Sequence, residues 1–165
     1  SPNKERMATD ITLVLDKSGS MMGDKIEFSK QAIKNIINNM QPNDKLNIIT
    51  YSYSASVLIK DGDLSNRDQL LSTIDSIHAD GGTALYDGLS LGVDISSSSS
   101  NSMTNKRVFL FSDGMANIGI TDHLQILDKV KKSEISISAF GVGSDFDREL
   151  MTDIAKGIPL IFFLF

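Results

Sequence analysis

The sequence predicts an α/β fold: a doubly wound sheet, mostly parallel with one antiparallel edge strand, and helices on both faces. Two observations lead there. Short apolar runs rich in β-branched and aromatic residues, at 11–16, 46–53, 56–60, 107–113, 135–142 and 159–165, alternate with stretches of helical periodicity. That is the pattern of βαβ units around a parallel sheet covered on both sides. Only Ser54-Ala55 separates the second run from the third. Two residues are too few for a crossover, so this pair is expected to form an antiparallel hairpin at a sheet edge.

The helices follow from spacing. Ile26, Ala32, Ile33, Ile36, Ile37 and Met40 recur at intervals of three and four and predict a helix within 25–40, ended by Pro42-Asn43-Asp44. Leu70, Leu71, Ile74 and Ile77 mark a second helix. Leu85, Leu89, Val93 and Ile95 mark a third, opening just after Gly81-Gly82-Thr83. Residues 122–132, with Leu124, Leu127 and Val130 turned inward, and 147–156 supply the last two. The serine run at 96–100, continued by Asn101-Ser102, has no side chains to offset the entropy of ordering and is expected as a mobile surface loop. The run 159–165 is expected to fill a last parallel strand position, with an apolar strip beside it uncovered.

With 165 residues and 41% hydrophobic content, the chain is expected to be one domain over 1–165, with 1–8 as an N-terminal extension. It opens on Ser1 and stops inside an apolar run, so it reads as part of a longer protein. A net charge of -5 disfavours nucleic acid and anionic lipid as partners. There is no Cys, which removes disulfides, zinc-thiolate sites and thiol catalysis but leaves the compartment open. No window reaches the roughly 18 apolar residues of a membrane-inserted span.

Chemistry gathers at strand ends. The first strand delivers Asp16-Lys17-Ser18-Gly19-Ser20 into a turn before a helix, at the carboxyl edge where open α/β sheets bind ligands. Thr83, in the glycine turn before the third helix, and Asp113, ending the fourth strand, should reach the same edge. Carboxylates and hydroxyls are what hard cations such as Mg²⁺ select, whereas zinc and copper would recruit His or Cys. Glycines at 19, 81, 82 and 114 suit close backbone approach around an ion.

Asp16-x-Ser18-x-Ser20, then Thr83, then Asp113 resembles the metal-ion-dependent adhesion site (MIDAS) of von Willebrand factor A domains. Three separate motifs carry the likeness: Leu15-Asp16-Lys17-Ser18-Gly19-Ser20-Met21, Gly81-Gly82-Thr83-Ala84-Leu85 and Phe111-Ser112-Asp113-Gly114. It runs from about Ala8 to Lys156. The resemblance implies a Rossmann-like domain that is not an enzyme and holds one divalent cation, Mg²⁺ being the expected ion and Mn²⁺ or Ca²⁺ alternatives. It implies that Ser18 and Ser20 coordinate directly, that Asp16 and Asp113 act largely through water, and that Thr83 alternates between the two modes. The open position would take an Asp or Glu carboxylate of a protein partner, making the domain an adhesion or recruitment module. Asp113-Gly114-Met115-Ala116-Asn117-Ile118-Gly119 looks more like inter-alpha-trypsin-inhibitor heavy chains, chloride-channel regulators and RING-linked A domains than like integrin inserted domains. The family's final helix would fall after 165.

Plainer readings exist for each signal. The Asp16 turn could be an N-cap cluster, with Ser20 or Asp24 capping the helix and no metal. His78 and His123 flank helices and read as surface residues. Met21 and Met22 could form an adhesive rim or pack under the loop. Lys131-Lys132 reads as a solvated helix end. A haloacid-dehalogenase-like phosphatase needs a second acid two residues after Asp16, where Ser18 stands. A serine hydrolase lacks a base near Ser18, and neither nucleotide-binding glycine fingerprint occurs. The remaining non-enzymatic alternative is a structural domain of a larger assembly whose metal stiffens the loops.

Overall fold

The computed structural model describes residues 7–98 and 104–155. Among the described residues, five strands and five α-helices follow in the order β1 (Thr9–Asp16), α1 (Asp24–Asn38), β2 (Lys45–Tyr51), β3 (Ala55–Gly62), α2 (Arg67–Asp75), α3 (Leu85–Ser97), β4 (Asn105–Ser112), α4 (His123–Ser133), β5 (Ile137–Gly141) and α5 (Arg148–Ile154). The sheet order is β3-β2-β1-β4-β5. β1 runs parallel to both β2 and β4, β4 runs parallel to β5, and β2–β3 is antiparallel. This is the α/β architecture the sequence predicts, with the hairpin at the edge. The turn occupies 52–54 and not Ser54-Ala55, because Ala55 already pairs with Tyr51.

β1 is buried on both faces, so its alternation divides the core in two. Ile11, Leu13 and Leu15 face α1 and α2, packing with Ile26, Ile33, Ile37, Leu70 and Ile74. Val14 faces the other way, into a core shared with Leu85, Leu89 and Val93 of α3, Ile126 and Val130 of α4, and Leu150 of α5. Each such aliphatic side chain stabilises the fold by about 1.5–3 kcal/mol on full burial.

α3 lies nearly in contact with the sheet because its inner stripe is small. A Cβ at Gly88 would stand 2.2 Å from Cδ1 of Tyr51, and one at Gly92 2.4 Å from Cγ2 of Val14. Ser96, four residues further on, continues the stripe and is fully buried. The expected mobile loop therefore begins too early: Ser96 and Ser97 belong to α3, the small side chain of Ser96 serving close packing while that of Ser97 is exposed. Ser98 is the exposed C-cap of α3; residues 99–102 and the run 159–165 lie outside the described residues.

Leu124 is a second correction. Expected inward, it is 75% exposed, while Ile126 and Val130 are buried and Leu127 packs partly against them. At 3.6 residues per turn, Ile126 and Val130 set the centre of the buried face, and Leu124, two residues before Ile126, falls well off it.

Gly88→Ala should lower stability by about 1–3 kcal/mol by overpacking against the immobile Tyr51 ring, although Ala is the better helix former by about 1 kcal/mol. Urea unfolding measures this. An unchanged or higher midpoint would show that α3 is not seated on Tyr51.

Candidate functional site

β1 lies between β2 and β4; the chain crosses from β1 to β2 on one side and returns from β3 to β4 on the other, so the switch point of the sheet is at the carboxyl end of β1. The pleat decides what is delivered there. Asp16 has the parity of Val14 and pairs with Tyr51 of β2. Leu15 pairs with Phe111, which sets Ser112 beside Asp16. Asp16, Tyr51 and Ser112 thus share one face, and Asp113 follows as the chain leaves β4.

Both Asp16 carboxylate oxygens are engaged. Oδ1 accepts the backbone N–H of Ser18 at 2.9 Å, and Oδ2 accepts the Ser112 hydroxyl at 2.8 Å. Ser112 in turn accepts the N–H of Gly114 at 2.8 Å. The Ser18 and Ser20 hydroxyls are 3.0 Å apart, and Ser20 donates to Asp113 Oδ2 at 2.7 Å. Asp113 Oδ1 accepts the N–H of Met115 at 3.1 Å. Asp16, Ser18, Ser20 and Asp113 are therefore joined in one hydrogen-bonded chain, and all but Ser20 are buried.

Thr83 reaches this edge on a loop stitched to the first by its backbone. Lys17 accepts at its carbonyl from Asp80 N–H, and Gly19 N–H donates to the Gly81 carbonyl, both at 2.8 Å. A Cβ at Gly19 would press on that same Gly81 oxygen at 3.3 Å. The Thr83 N–H donates to Asn117 Oδ1 at 2.8 Å, and the Thr83 carbonyl accepts from Asn117 N–H at 3.0 Å. The loop after Asp113 thus clasps Thr83 from the other side.

The electrostatics are unusual for a structural turn. Burial pushes the Asp16 carboxyl up to about 6; a hydrogen bond from Ser18 opposes the rise and neighbouring Asp113 adds to it. Burial and the Asp16 charge also hold the Tyr51 phenol well above its usual range. Its hydroxyl is fully buried near these groups without a hydrogen bond of normal geometry. Lys25 brings a positive charge to within 3.6 Å of Asp113 Oδ2. Two carboxylates and two hydroxyls on one edge are hard oxygen donors, which fit Mg²⁺, Mn²⁺ or Ca²⁺. Among the described residues no three His, Cys, Asp or Glu side chains cluster, so a cation here would depend on the hydroxyls.

The plainer readings divide. The N-cap of α1 is Gly23, without a side-chain cap, so the hydroxyls are not spent on capping. Met21 is fully buried and Met22 is 69% exposed, one packing below the loop and the other standing on the rim. His78 and His123 are exposed, and His123 Nε2 lies 3.4 Å from Asp147. Ser112, Lys25, Asn117 and Tyr51 had no role assigned from sequence. Ser112 directly precedes Asp113 in a motif already singled out, so strand parity could have found it; the others depend on tertiary contacts.

Without a cation, Asp16 should make stability depend on pH. Its value in the folded chain, about 6, lies above the ordinary 3.8, so its contribution is complete below about 4 and lost as pH rises through 6. The loss is about 3 kcal/mol. Urea unfolding in EDTA at pH 4 to 7.5 should show the wild type falling relative to Asp16→Asn. Parallel curves would mean that Asp16 ionises in the fold at no cost.

The von Willebrand factor type A domain profile matches residues 10–163. The chain is 28% identical over 151 residues to an uncharacterized protein of Synechocystis sp., covering 91% of this chain and 36% of that protein. It is 27% identical over 157 residues to inter-alpha-trypsin inhibitor heavy chain H4 of Bos taurus, covering 88% and 17%. It therefore spans well under half the length of either relative. The structure of proximal thread matrix protein 1 from the mussel byssus, described with a zinc-occupied MIDAS motif, superposes with a TM-score of 0.76 at 22% identity, over 95% of this chain and 41% of that one. That likeness concerns the fold alone. With a profile match across nearly its whole length, and a sheet order and switch-point edge to go with it, the chain belongs to the von Willebrand factor type A domain family.

Proposed function

We propose that this chain is a single divalent-cation-dependent protein-binding domain, an adhesion or recruitment module without catalytic activity. Asp16, Ser18, Ser20, Thr83 and Asp113 hold the ion, Mg²⁺ or Mn²⁺ by the hardness of the donors. An Asp or Glu of the partner completes its coordination. The observation that carries the reading is the hydrogen-bonded chain Asp16–Ser18–Ser20–Asp113, in which two buried acids and two hydroxyls meet at the switch point. Two carboxylates balance a doubly charged ion, so an arriving carboxylate meets no excess of negative charge. Away from water such a bond is much stronger than a surface ion pair.

Further features agree. Met22, Tyr53, Met115 and Ile120 are exposed apolar side chains on the loops of this edge, a surface suited to a protein partner. The match to heavy chain H4 supports a place in the heavy-chain-like branch of the family. Phosphoaspartyl chemistry is disfavoured because the position two residues after Asp16, where a second acid would be needed, is Ser18. A purely loop-stiffening ion is less favoured, since backbone hydrogen bonds already join the loops.

The test has two stages. Calorimetry with Mg²⁺ and Mn²⁺ should give one site, weakened at least about tenfold by Ser18→Ala or Asp113→Ala. A panel of peptides each carrying one Asp or Glu should then contain binders that lose affinity in EDTA, regain it with Mn²⁺, and fail when the acid becomes Asn or Gln. Thr83→Ala should lower this binding in a protein that still folds. Peptide binding that is indifferent to EDTA would move the functional surface elsewhere.

A further inference from the structure

Lys25 stands in the first turn of α1, where the positive end of the helix dipole disfavours a cation. Its side chain nevertheless turns towards the strand ends. The ammonium lies 3.6 Å from Asp113 Oδ2 and 3.2 Å from Asp145 Oδ1, and the side chain is only 21% exposed. The path is prepared by Gly143, at φ +88, where a Cβ would stand 2.5 Å from Lys25 Cε. Any side chain at that position would obstruct the lysine stem. The oxygen it reaches, Asp113 Oδ2, is the one that accepts the Ser20 hydroxyl.

We propose that Lys25 is a tethered counter-cation that competes with the divalent ion for Asp113 and so sets the ion affinity of the site. The inference rests on the cation reading above. Without the ion, the ammonium supplies the positive charge that the buried acid needs. As the ion binds, two cations converge on one carboxylate, and the ammonium withdraws to Asp145. That second seat is present already, on a carboxylate that is 66% exposed, so leaving Asp113 does not strand the lysine. An ammonium this close to a ligand oxygen, partly screened by solvent, should weaken ion binding about tenfold. It should also steady the ion-free edge.

Calorimetry with MnCl₂ on the wild type, Lys25→Met and Lys25→Arg, together with thermal melts in EDTA, tests this. Methionine keeps a flexible apolar stem over Gly143 and removes the charge. Lys25→Met should bind Mn²⁺ about tenfold more tightly than wild type and melt lower in EDTA, the gap closing at saturating Mn²⁺. Lys25→Arg should stay near wild type in both. Equal or weaker Mn²⁺ binding by Lys25→Met, with the wild type binding normally, overturns the role of Lys25 and leaves the cation reading standing. No Mn²⁺ binding by any variant removes the cation reading and this inference with it. If Lys25→Met is unfolded in EDTA, Lys25→Gln is measured as well. Folding of either variant on adding Mn²⁺ supports the competition, and failure of both to fold with the ion makes Lys25 a structural brace and overturns it.

Discussion

Two acids, Asp16 and Asp113, are buried side by side at the ends of neighbouring parallel strands, and a low-dielectric interior does not tolerate such a pair unless other groups answer it. The surrounding structure is organised by that requirement. Ser18 and Ser112 address Asp16, while Ser20, Met115 and Lys25 address Asp113. None of these groups could stand where it does without the pleat of β1 and β4, which turns Asp16 and Ser112 to the same face.

The packing beneath has the same dependence. The stripe Gly88, Gly92, Ser96 lets α3 settle on Tyr51 and Val14, which fixes the height at which the chain enters the helix. Ala84 N–H then bonds the Ser52 carbonyl at 2.8 Å, and Thr83 arrives at the edge already held. Position at the site is thus inherited from small residues about one and two helical turns inside α3.

The alternation of apolar runs and the two-residue connector made the sheet and its edge hairpin legible, because period and connection length are local properties. The four members of the hydrogen-bonded chain were legible as well, since strand-end acids and hydroxyls stand out against apolar strands. Other features were not. Leu124 looked inward because a three-residue interval to Leu127 fits a helical stripe, yet the burial of Ile126 and Val130 rotates the face away from it. Ser96 looked like loop because serine runs usually are, and only its distance from Gly88 and Gly92 shows it to be part of a packing surface. Lys25 and Asn117 act across 88 and 34 residues of sequence respectively, Lys25 on Asp113 and Asn117 on Thr83, and no local pattern reports contacts of that kind.

The bonds that hold the loop 17–20 to the loop 80–83 join main-chain atoms, Asp80 N–H to the Lys17 carbonyl and Gly19 N–H to the Gly81 carbonyl. Main-chain stitching is blind to most side-chain identity. Met22, which follows the first of these loops and is 69% exposed, can therefore be exchanged without loosening the frame beneath it. Such a division of labour separates the part of the domain that has to stay constant from the part that is free to diversify, so descendants of one ancestral scaffold could acquire new recognition preferences by single substitutions along the rim.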